Sequence, residues 1–442
     1  MTYDAAKGTI RWNKLSAEGQ ADLLRRPLYS VHANTRREAA NIVAQVRDRG
    51  DSALRELTLE LDGVALGRLQ VTDEEYEAAA ATLSSSALAA IDTAISNVRR
   101  FHEKQIPAAI DIETMPGIRC QRVAHPIDAV GLYVPAGSAP LPSAAIMLSV
   151  PARIAACPQI VLCTPPRADG GADPAVLTAA RRCGVHSIYK VGGAQAIAAM
   201  AYGTESIPQV AKIFGPGNAW VTAAKALVTA ETGGPAIDMP AGPSEVLVIA
   251  DASADAAFVA SDLLAQAEHG PDSQVILLTN CDSLATEVKS QIEKQLGQLS
   301  RADVARRALQ HSRIVLVENL ATAIDISNRY APEHLILQVA EARRWLASVR
   351  NAGSVFLGRW SPESVGDYCS GTNHVLPTYG AARSYSGLGV DQFMRQMTVQ
   401  ELSEDGLRSI APAVRELAGL EGLDAHAAAV SIRIDGTARS DS

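Results

Sequence analysis

A helical pattern in the middle of the sequence ends in polar side chains that could bind a metal ion. In DLLAQAEHGPDSQVILLT (262–279), Asp262, Gln266 and His269 fall at positions i, i+4 and i+7 and therefore form one stripe. The spacing predicts a helix from about Ala254 to His269, which the dipeptide Gly-Pro then ends. A neutral imidazole is a good zinc ligand, whereas a glutamine carbonyl is an uncommon one. On spacing alone, a solvent-exposed helix end explains this stripe better than a metal site.

An adjacent acid and imidazole precede another apolar run. In YAPEHLILQV, Glu333 and His334 stand immediately before a predicted strand. This pair suits proton transfer, because the pKa values of both side chains can be tuned close to neutrality. The alternative is a helix-to-strand loop with two exposed polar residues, and the local pattern by itself favours that alternative.

A loop rich in hydrogen-bonding side chains, SPESVGDYCSGTNHVLPT, follows the last of the apolar runs. Asp367 in this loop could be a metal ligand or a capping residue. His374 is the weaker candidate, because a histidine in such a loop is often engaged in backbone capping.

The segment AGLEGLDAHAAAVSIRI lies close to the C-terminus and carries two polar residues among apolar ones, Glu421 and His426. One interpretation is a helix face exposed to solvent. The other interpretation is a segment that docks onto another surface, as the flanking apolar residues indicate. The pattern favours neither interpretation over the other. The final residues, GTARSDS, are predicted to be disordered.

Two strand–turn–helix junctions resemble dinucleotide-binding loops only weakly. KIFGPGNAWVTAAK offers Gly215 and Gly217, but Trp220 stands where a third glycine is expected, and no acidic residue follows at the distance that a ribose contact needs. VGGAQAIAA (191–199) is a junction of the same kind. Alone, these turns are weak support for a nucleotide site.

The elements that must position these residues alternate from about residue 128 onward. Residues 35–104 have the periodicity of helices, and the runs that follow them, QIVLCT, HSIYKV, EVLVIA, QVILLT, RIVLVE, HLILQV and SVFLG, alternate with helical stretches. Uniformly apolar strands separated by helices indicate parallel sheets covered on both faces. Seven such runs favour two Rossmann-like units over one closed barrel. Because ligands of open α/β sheets bind beyond the carboxyl ends of the strands, we expect the site in the loops after these runs.

Composition limits the class of protein. The chain has 442 residues, 47% of them hydrophobic and 4% aromatic, with a net charge of −8, which argues against nucleic acid or an anionic membrane as the main partner. The N-terminus has no stretch typical of a signal peptide, and no segment is apolar enough to span a bilayer. Six scattered cysteines without CxxC spacing predict free, mostly buried thiols and a cytoplasmic location.

Taken together and in this order, the segments resemble the histidinol dehydrogenase family from about residue 35 to residue 433. The blocks that carry the resemblance are GLYVPAGSAPLPSAAIMLSVPARIAAC, GGAQAIAAMAYGT, FGPGNAWV, AGPSEVLVIAD, LLAQAEHGPDSQVILLT, APEHL, GDYCSGTNHVLPT and EGLDAHAAAVSIR. The resemblance implies an α/β fold of two incomplete Rossmann-like domains with parallel sheets. It adds small N-terminal and C-terminal helical extensions that serve dimerisation.

The resemblance also implies how the chain is divided. An N-terminal extension covers 1–27, and a dimer-swapped C-terminal extension covers 389–442. The first Rossmann-like domain, formed by 28–132 and 244–388, would carry the zinc, substrate and catalytic residues. The second domain, 133–243, would contact NAD.

The resemblance assigns roles to individual residues. Glu333 and His334 match the acid–base pair of the family. The zinc ligands of the family match Gln266, His269, Asp367 and His426. Its substrate contacts match Ser244, Gln266, His269, His334, Asp367, Glu421 and His426. Its NAD contacts match Tyr133, Gln195 and Asn218. The homodimer that the resemblance implies would supply Glu421 and His426 from the partner chain.

The reaction that the resemblance implies is the oxidation of L-histidinol through L-histidinaldehyde to L-histidine, with two NAD⁺ in sequence and one Zn²⁺ per subunit. His334 would take the alcohol proton, and Glu333 would activate water against the aldehyde. Cys369 is not expected to act as a nucleophile, because the neighbouring carboxylate of Asp367 disfavours a thiolate.

Two alternatives stay open at this point. A related sulfopropanediol-type dehydrogenase would keep a similar zinc site, although the ending EGLDAHAAAVSIR with Glu421 is more similar to the histidinol branch. A non-enzymatic two-domain protein that closes on a small molecule is the other alternative. The absent export signal and the adjacent Glu333 and His334 count against that second alternative.

Overall fold

The structure is a computed structural model that describes residues 9–26, 33–136, 139–239 and 242–435. The strands are β1 (Ile10–Arg11), β2 (Ile110–Met115), β3 (Ile118–Pro126), β4 (Ala129–Tyr133), β5 (Gln159–Thr164), β6 (Ser187–Lys190), β7 (Lys212–Phe214), β8 (Ala236–Ile237), β9 (Glu245–Ala250), β10 (Gln274–Thr279), β11 (Arg313–Leu316), β12 (His334–Gln338), β13 (Ser354–Leu357) and β14 (Met394–Leu402). The α-helices are α1 (Ala17–Leu23), α2 (Ala33–Arg49), α3 (Asp51–Asp62), α4 (Asp73–Thr82), α5 (Ser85–His102), α6 (Pro142–Ile154), α7 (Pro174–Arg182), α8 (Gly193–Tyr202), α9 (Ala219–Thr229), α10 (Ala256–Ala267), α11 (Asp282–Leu296), α12 (Ala302–Leu309), α13 (Leu320–Tyr330), α14 (Ala342–Trp345), α15 (Glu363–Tyr368), α16 (Glu404–Leu420) and α17 (Asp424–Asp435). The predicted disorder of the last seven residues lies outside the described residues.

A six-stranded parallel sheet contains the five later apolar runs and the short strand β1. Its strand order is β1-β11-β10-β9-β12-β13, and every residue of β9, β10 and β12 is buried. One face is covered by α10, α11 and α12, and the other by α13 together with Trp12 and Leu23 of the N-terminal segment. Because both faces are covered, the interior positions of these strands are apolar, as the sequence predicts. The predicted α/β class with parallel sheets is confirmed.

A five-stranded parallel sheet of order β6-β5-β4-β7-β8 forms the second layer system. The chain adds β5 and β6 on one side of β4, and then β7 and β8 on the other side. This reversal makes a crevice at the carboxyl ends of β4 and β7. Asn218 follows β7 and caps α9, because its side-chain oxygen accepts hydrogen bonds from the backbone N–H groups of Trp220 and Val221. This sheet confirms the second parallel unit.

The helices between residues 33 and 102 pack on the five-stranded unit. α2 lies on α8 and α9, α4 lies on α7, and α5 lies on α6. This packing differs from the predicted grouping of 28–132 with 244–388. Helical periodicity gives the apolar face of each helix but not which sheet that face covers, and only the fold shows it. The division into functional domains, with its boundaries, otherwise stays a prediction.

A three-stranded antiparallel sheet, β14-β3-β2, was not foreseen from the sequence. β14 pairs with β3 along its whole length, from Met394 opposite Pro126 to Leu402 opposite Ile118. We use the term C-terminal arm for β14, α16 and α17. The predicted C-terminal extension is therefore not purely helical, because it contains a nine-residue strand.

Two further expectations concern the whole chain. Among the described residues, no single helix is both long and apolar enough to cross a membrane. The pair α4 and α5 passes that test only when joined, and it is bent by 111° between the two helices. All six cysteines are unpaired, as predicted.

Candidate active site

The predicted catalytic and metal-binding residues lie at the amino edge of the six-stranded sheet. Glu333 directly precedes β12 and His334 is its first residue, while Gln266 lies in the last turn of α10, just before β10 begins. Asp367 in α15, which follows β13, also reaches this edge. These candidate residues therefore lie at the edge of this sheet opposite to the one at which the sequence analysis expects ligands. The candidate residues lie near the ends of helices that cross back over the sheet, and at the starts of the strands that follow.

Two of the three residues of the predicted polar stripe, Asp262 and Gln266, are buried on α10. Gln266 has no exposed surface, and Asp262 is 4% exposed and accepts a hydrogen bond of 2.8 Å from Gln338 Nε2. Burial raises the pKa of Asp262 to about 6. The helix ends two residues earlier at its C-terminus than predicted, so His269 lies in the turn behind it, with 41% of its side chain exposed. A solvent-exposed helix face is therefore excluded for Asp262 and Gln266, whereas His269 is exposed.

The peptide groups of Glu245, the first residue of β9, hold both members of the acid–base pair. The backbone N–H of Glu245 donates to Glu333 Oε2 at 2.9 Å, and its carbonyl lies 3.1 Å from His334 Nδ1. A carbonyl can only accept, so Nδ1 carries the proton and Nε2 is left with a free lone pair. Nε2 faces Asp367 Oδ1 at 3.8 Å. His334 is thus arranged to accept a proton at Nε2.

Burial acts in opposite directions on the pKa values of this pair. It lowers the pKa of His334 to about 3, which keeps the imidazole neutral at physiological pH. It raises the pKa of Glu333 well above the ordinary value, and the charges of Glu245 and Asp367 add to this effect. A carboxylate with a raised pKa is a stronger base than an exposed one. The two side chains therefore suit two different proton transfers.

Three side chains form a cluster that could hold a divalent cation. The ligand atoms of His269, Glu363 and Asp367 all lie within 4.8 Å of one another. His269 Nε2 is 3.9 Å from Asp367 Oδ2, and burial raises the pKa of Asp367 to about 7. Because the cluster combines a neutral imidazole with carboxylates, a divalent cation such as Zn²⁺ suits its donors. The structure brings Gln266 to the same place through its contact with Glu363.

Glu363 is a functional candidate that the sequence analysis missed. It is 1% exposed, and burial raises its pKa well above the ordinary value. With its amide nitrogen turned toward Glu363, Gln266 donates to the two carboxylate oxygens at 2.5 and 2.9 Å. The signal in the sequence was its position four residues before Asp367, which places both carboxylates on one face of α15.

Two neighbouring residues complete this edge of the sheet. Ser244 directly precedes β9, where its carbonyl accepts a hydrogen bond of 3.2 Å from Gln274 N. His374 Nδ1 donates to the backbone carbonyl of Asp367 at 2.9 Å, and burial lowers the pKa of His374 to about 4. The backbone contact agrees with the predicted capping role of His374, while its ring lies beside the candidate metal ligand.

Glu421 and His426 lie elsewhere in the chain. Glu421 ends α16, His426 lies in α17, and both are exposed on the C-terminal arm. Among the described residues, the cluster of potential metal ligands contains neither of them. Four apolar side chains near them are also 40–77% exposed: Leu417, Leu420, Leu423 and Ile432. A single chain therefore leaves these two predicted site residues apart from the others.

The predicted NAD contacts gather at the carboxyl edge of the five-stranded sheet. Tyr133 ends β4, and its hydroxyl accepts a hydrogen bond of 3.0 Å from Gly193 N at the start of α8. Gln195 on that helix is 2% exposed, and its Oε1 has no hydrogen-bond partner among the described residues. Asn218 follows β7 at the same edge. These three residues therefore lie at the edge where the sequence predicts a ligand, and their contact with NAD stays a prediction.

Comparisons with known proteins show to which family the chain belongs. The family model described as histidinol dehydrogenase matches residues 25–434. The chain is 57% identical to the histidinol dehydrogenase of Xanthomonas axonopodis pv. citri, and the match covers 96% of this chain and 98% of that protein. It is 54% identical to the histidinol dehydrogenase of Vibrio cholerae, and this match covers 97% of this chain and 98% of that protein. A crystal structure of histidinol dehydrogenase from Elizabethkingia anophelis superposes with a TM-score of 0.93 at 44% identity, covering 96% of this chain and 97% of that one.

Proposed function

Because the chain belongs to the histidinol dehydrogenase family, we propose that it oxidises L-histidinol through L-histidinaldehyde to L-histidine. This is the end of histidine biosynthesis and consumes two NAD⁺ and one water per L-histidinol. The observation that carries the proposal is the convergence of five residues at one sheet edge, although 100 residues lie between the outermost two, Gln266 and Asp367. The other three are His269, Glu333 and His334. The relatives named above, at 54–57% identity, support the histidinol branch over a sulfonated diol.

The donor set fits one zinc ion per subunit. Gln266, His269 and Asp367 would hold it within one chain, and His426 of a second copy of this chain would complete four ligands. When bound, the zinc would hold nitrogen atoms of the substrate and so orient it. Ser244 at the same edge, and Glu421 beside His426, would contact the substrate.

The carboxyl edge of the five-stranded sheet fits NAD. The unpartnered Oε1 of the buried Gln195 offers an acceptor there, and the side-chain N–H₂ group of Asn218 remains for a ligand because its oxygen caps α9. Tyr133 would line the same place. When bound, NAD⁺ would accept the hydride of each oxidation.

The acid–base pair would divide the two oxidations. His334 Nε2 takes the proton of the substrate hydroxyl, since it is unprotonated and the carbonyl of Glu245 fixes the tautomer. Glu333 takes a proton from the water that attacks the aldehyde, because its raised pKa makes it a stronger base. Each such transfer is typically worth about 10²–10⁴ in rate.

We propose that the active form is a homodimer in the cytoplasm. The exposed apolar residues of the C-terminal arm support a second copy as the partner, since the arm presents Glu421 and His426 away from its own metal cluster. The six unpaired cysteines support a reducing compartment.

The test is the amount of NADH formed per L-histidinol consumed, together with the zinc content. We expect two NADH per L-histidinol, loss of turnover on chelation and recovery with Zn²⁺. His269→Ala should lose bound zinc, whereas His186→Gln, a change at an exposed histidine away from the cluster, should keep it. One NADH per substrate, or turnover after complete removal of zinc, would contradict the proposal.

A further inference from the structure

The side chain of Glu245 is clamped by an arginine of the N-terminal segment. Arg26 Nε donates to Glu245 Oε1 at 2.5 Å, and Nη2 donates to Oε2 at 2.8 Å. The two side chains are 11% and 2% exposed, respectively. A forked, buried pair of this kind fixes the position of both partners. The residue whose peptide groups hold Glu333 and His334 is therefore held in turn by Arg26.

Arg26 also holds the chain just ahead of the acid–base pair. Its Nη2 donates to the carbonyls of Tyr330 and Ala331 at 2.9 and 3.2 Å. The guanidinium lies 3.9 Å from the centre of the Tyr330 ring, which adds a cation–π contact. Two residues separate Ala331 from His334, so the clamp reaches both strands that carry the site.

Two residues in unfavourable backbone conformations flank this clamp. Ala331 and Tyr379 have φ values of 55° and 58°, in the left-handed region that favours glycine. The carbonyl of Ala331 accepts from Arg26, and the N–H of Tyr379 donates to Glu245 Oε1 at 2.9 Å. Backbone strain persists where the surroundings over-determine it, and it concentrates at functional sites. The clamp supplies contacts that hold both strained residues.

We propose that Arg26 and Glu245 are a positioning pair for the dehydrogenase reaction. The pair holds the first peptide of β9 against the start of β12, so that Glu333 keeps its orientation and His334 keeps its tautomer. Both side chains act through the peptide groups of Glu245 that contact Glu333 and His334. This role rests on the proposed function, because its effect is exerted on the two proton transfers.

The test compares Arg26→Gln, Arg26→Lys and Arg11→Gln with the parent enzyme. Arg11 makes a different ion pair of the N-terminal segment, with Asp282 at 2.6 Å. We expect kcat to fall about 100-fold in Arg26→Gln and about 10-fold in Arg26→Lys, because lysine keeps the charge without the fork. The KM for L-histidinol should change less than threefold, zinc content should stay the same, and Arg11→Gln should keep the parent kcat.

Hydrogen exchange gives a readout that does not depend on turnover. Exchange at the amide of Glu245 and over residues 331–335 should rise in both Arg26 variants and not in Arg11→Gln. Parent kcat in folded Arg26→Lys, or an equal loss of kcat in Arg11→Gln, would overturn the positioning role. If Arg26→Gln does not fold, Arg26→Lys decides. A parent enzyme inactive on L-histidinol would instead refute the proposed function, and the exchange result would still stand on its own.

Discussion

Glu333 and His334 are adjacent residues with different environments, and a substitution can separate their roles. Glu333→Gln keeps an acceptor for the N–H of Glu245 but removes the base. We expect oxidation of L-histidinaldehyde to slow by about 10²–10⁴, with alcohol oxidation less affected because His334 carries that proton. Separate single-turnover assays from the alcohol and from the aldehyde measure both effects, with Glu318→Gln as an exposed control. An equal loss in both half-reactions would contradict the division of roles.

Cys369 lies in the site loop, yet its side chain packs against the apolar core around the five-stranded sheet. A nucleophilic thiol needs a cationic or helix-terminal environment, which this contact does not provide. We therefore expect Cys369→Ser to keep kcat within about twofold of the parent. Steady-state turnover of L-histidinol measures it, and abolished turnover would show that the thiol takes part.

His102 is a buried histidine outside the metal cluster, and it makes the stability of the folded protein sensitive to acid. Its Nδ1 donates to the carbonyl of Val98 at 2.7 Å, and burial lowers its pKa from the ordinary value. The unfolded chain therefore binds a proton near pH 6.5 that the folded chain does not bind, so this contribution to stability falls as pH drops below 6.5. The loss is at most about 1.4 kcal/mol per pH unit.

We expect His102→Gln to be less stable than the parent at pH 7.5 by about 1–2 kcal/mol, with a smaller difference at pH 5.5. Thermal unfolding at both pH values measures this, and a difference that grows in acid would contradict it.

At the scale of elements, the sequence predicts which segments are strands and helices better than which sheet edge they share. The apolar runs and the helix ending near Gln266 are visible as patterns, and all of them form the expected elements. The sheet edge at which these elements meet could not be predicted in the same way, because local periodicity contains no information about where a crossover helix ends relative to other strands. Glu363 was missed for a related reason. Its role depends on α15 packing beside α10, which is a tertiary contact.

Gly366 allows α15 to approach β13 closely enough to bring Asp367 to the site. A Cβ at this position would lie 2.7 Å from Phe356 Cζ and 2.8 Å from Cε1, which is too close. The ring of Phe356 in turn lies 6.0 Å from that of His334.

We expect Gly366→Ala to weaken zinc binding about 10–100-fold by displacing Glu363 and Asp367. Competition with a zinc chelator measures this affinity. Gly67→Ala is the control, because no atom lies within 4 Å of its added Cβ. Unchanged zinc affinity in Gly366→Ala would contradict this account of the packing.

At the scale of the whole molecule, a site completed by the partner's arm predicts complementation. An inactive His426→Ala chain mixed with an inactive His269→Ala chain should regain activity, because one site of each hybrid then has all its residues. About a quarter of parent activity is expected from random exchange of equal amounts. Mixing His269→Ala with Asp367→Ala is the matched control, since both residues lie in the same chain's cluster and no site is restored. Absence of rescue under proven subunit exchange would contradict the shared site.

Helices α2, α4 and α5 pack on the five-stranded unit, and this packing could not be predicted from the sequence. The resemblance and the alternation of elements predicted two parallel units, and both are present. The partners of the early helices and the third sheet depend on contacts between segments far apart in the chain. β14 pairs with β3 although about 270 residues lie between them, a separation over which composition and periodicity give no pairing information.

That pairing has a practical consequence for shortening the protein. β3 is covered on one side by β2 and on the other by β14, so neither of its edges is open. A chain that stops at residue 393 would leave nine residues of β3 with bare backbone donors and acceptors, a template for adding strands from other molecules. Truncated forms are therefore expected to aggregate during expression, even though the two parallel sheets and their cores remain complete.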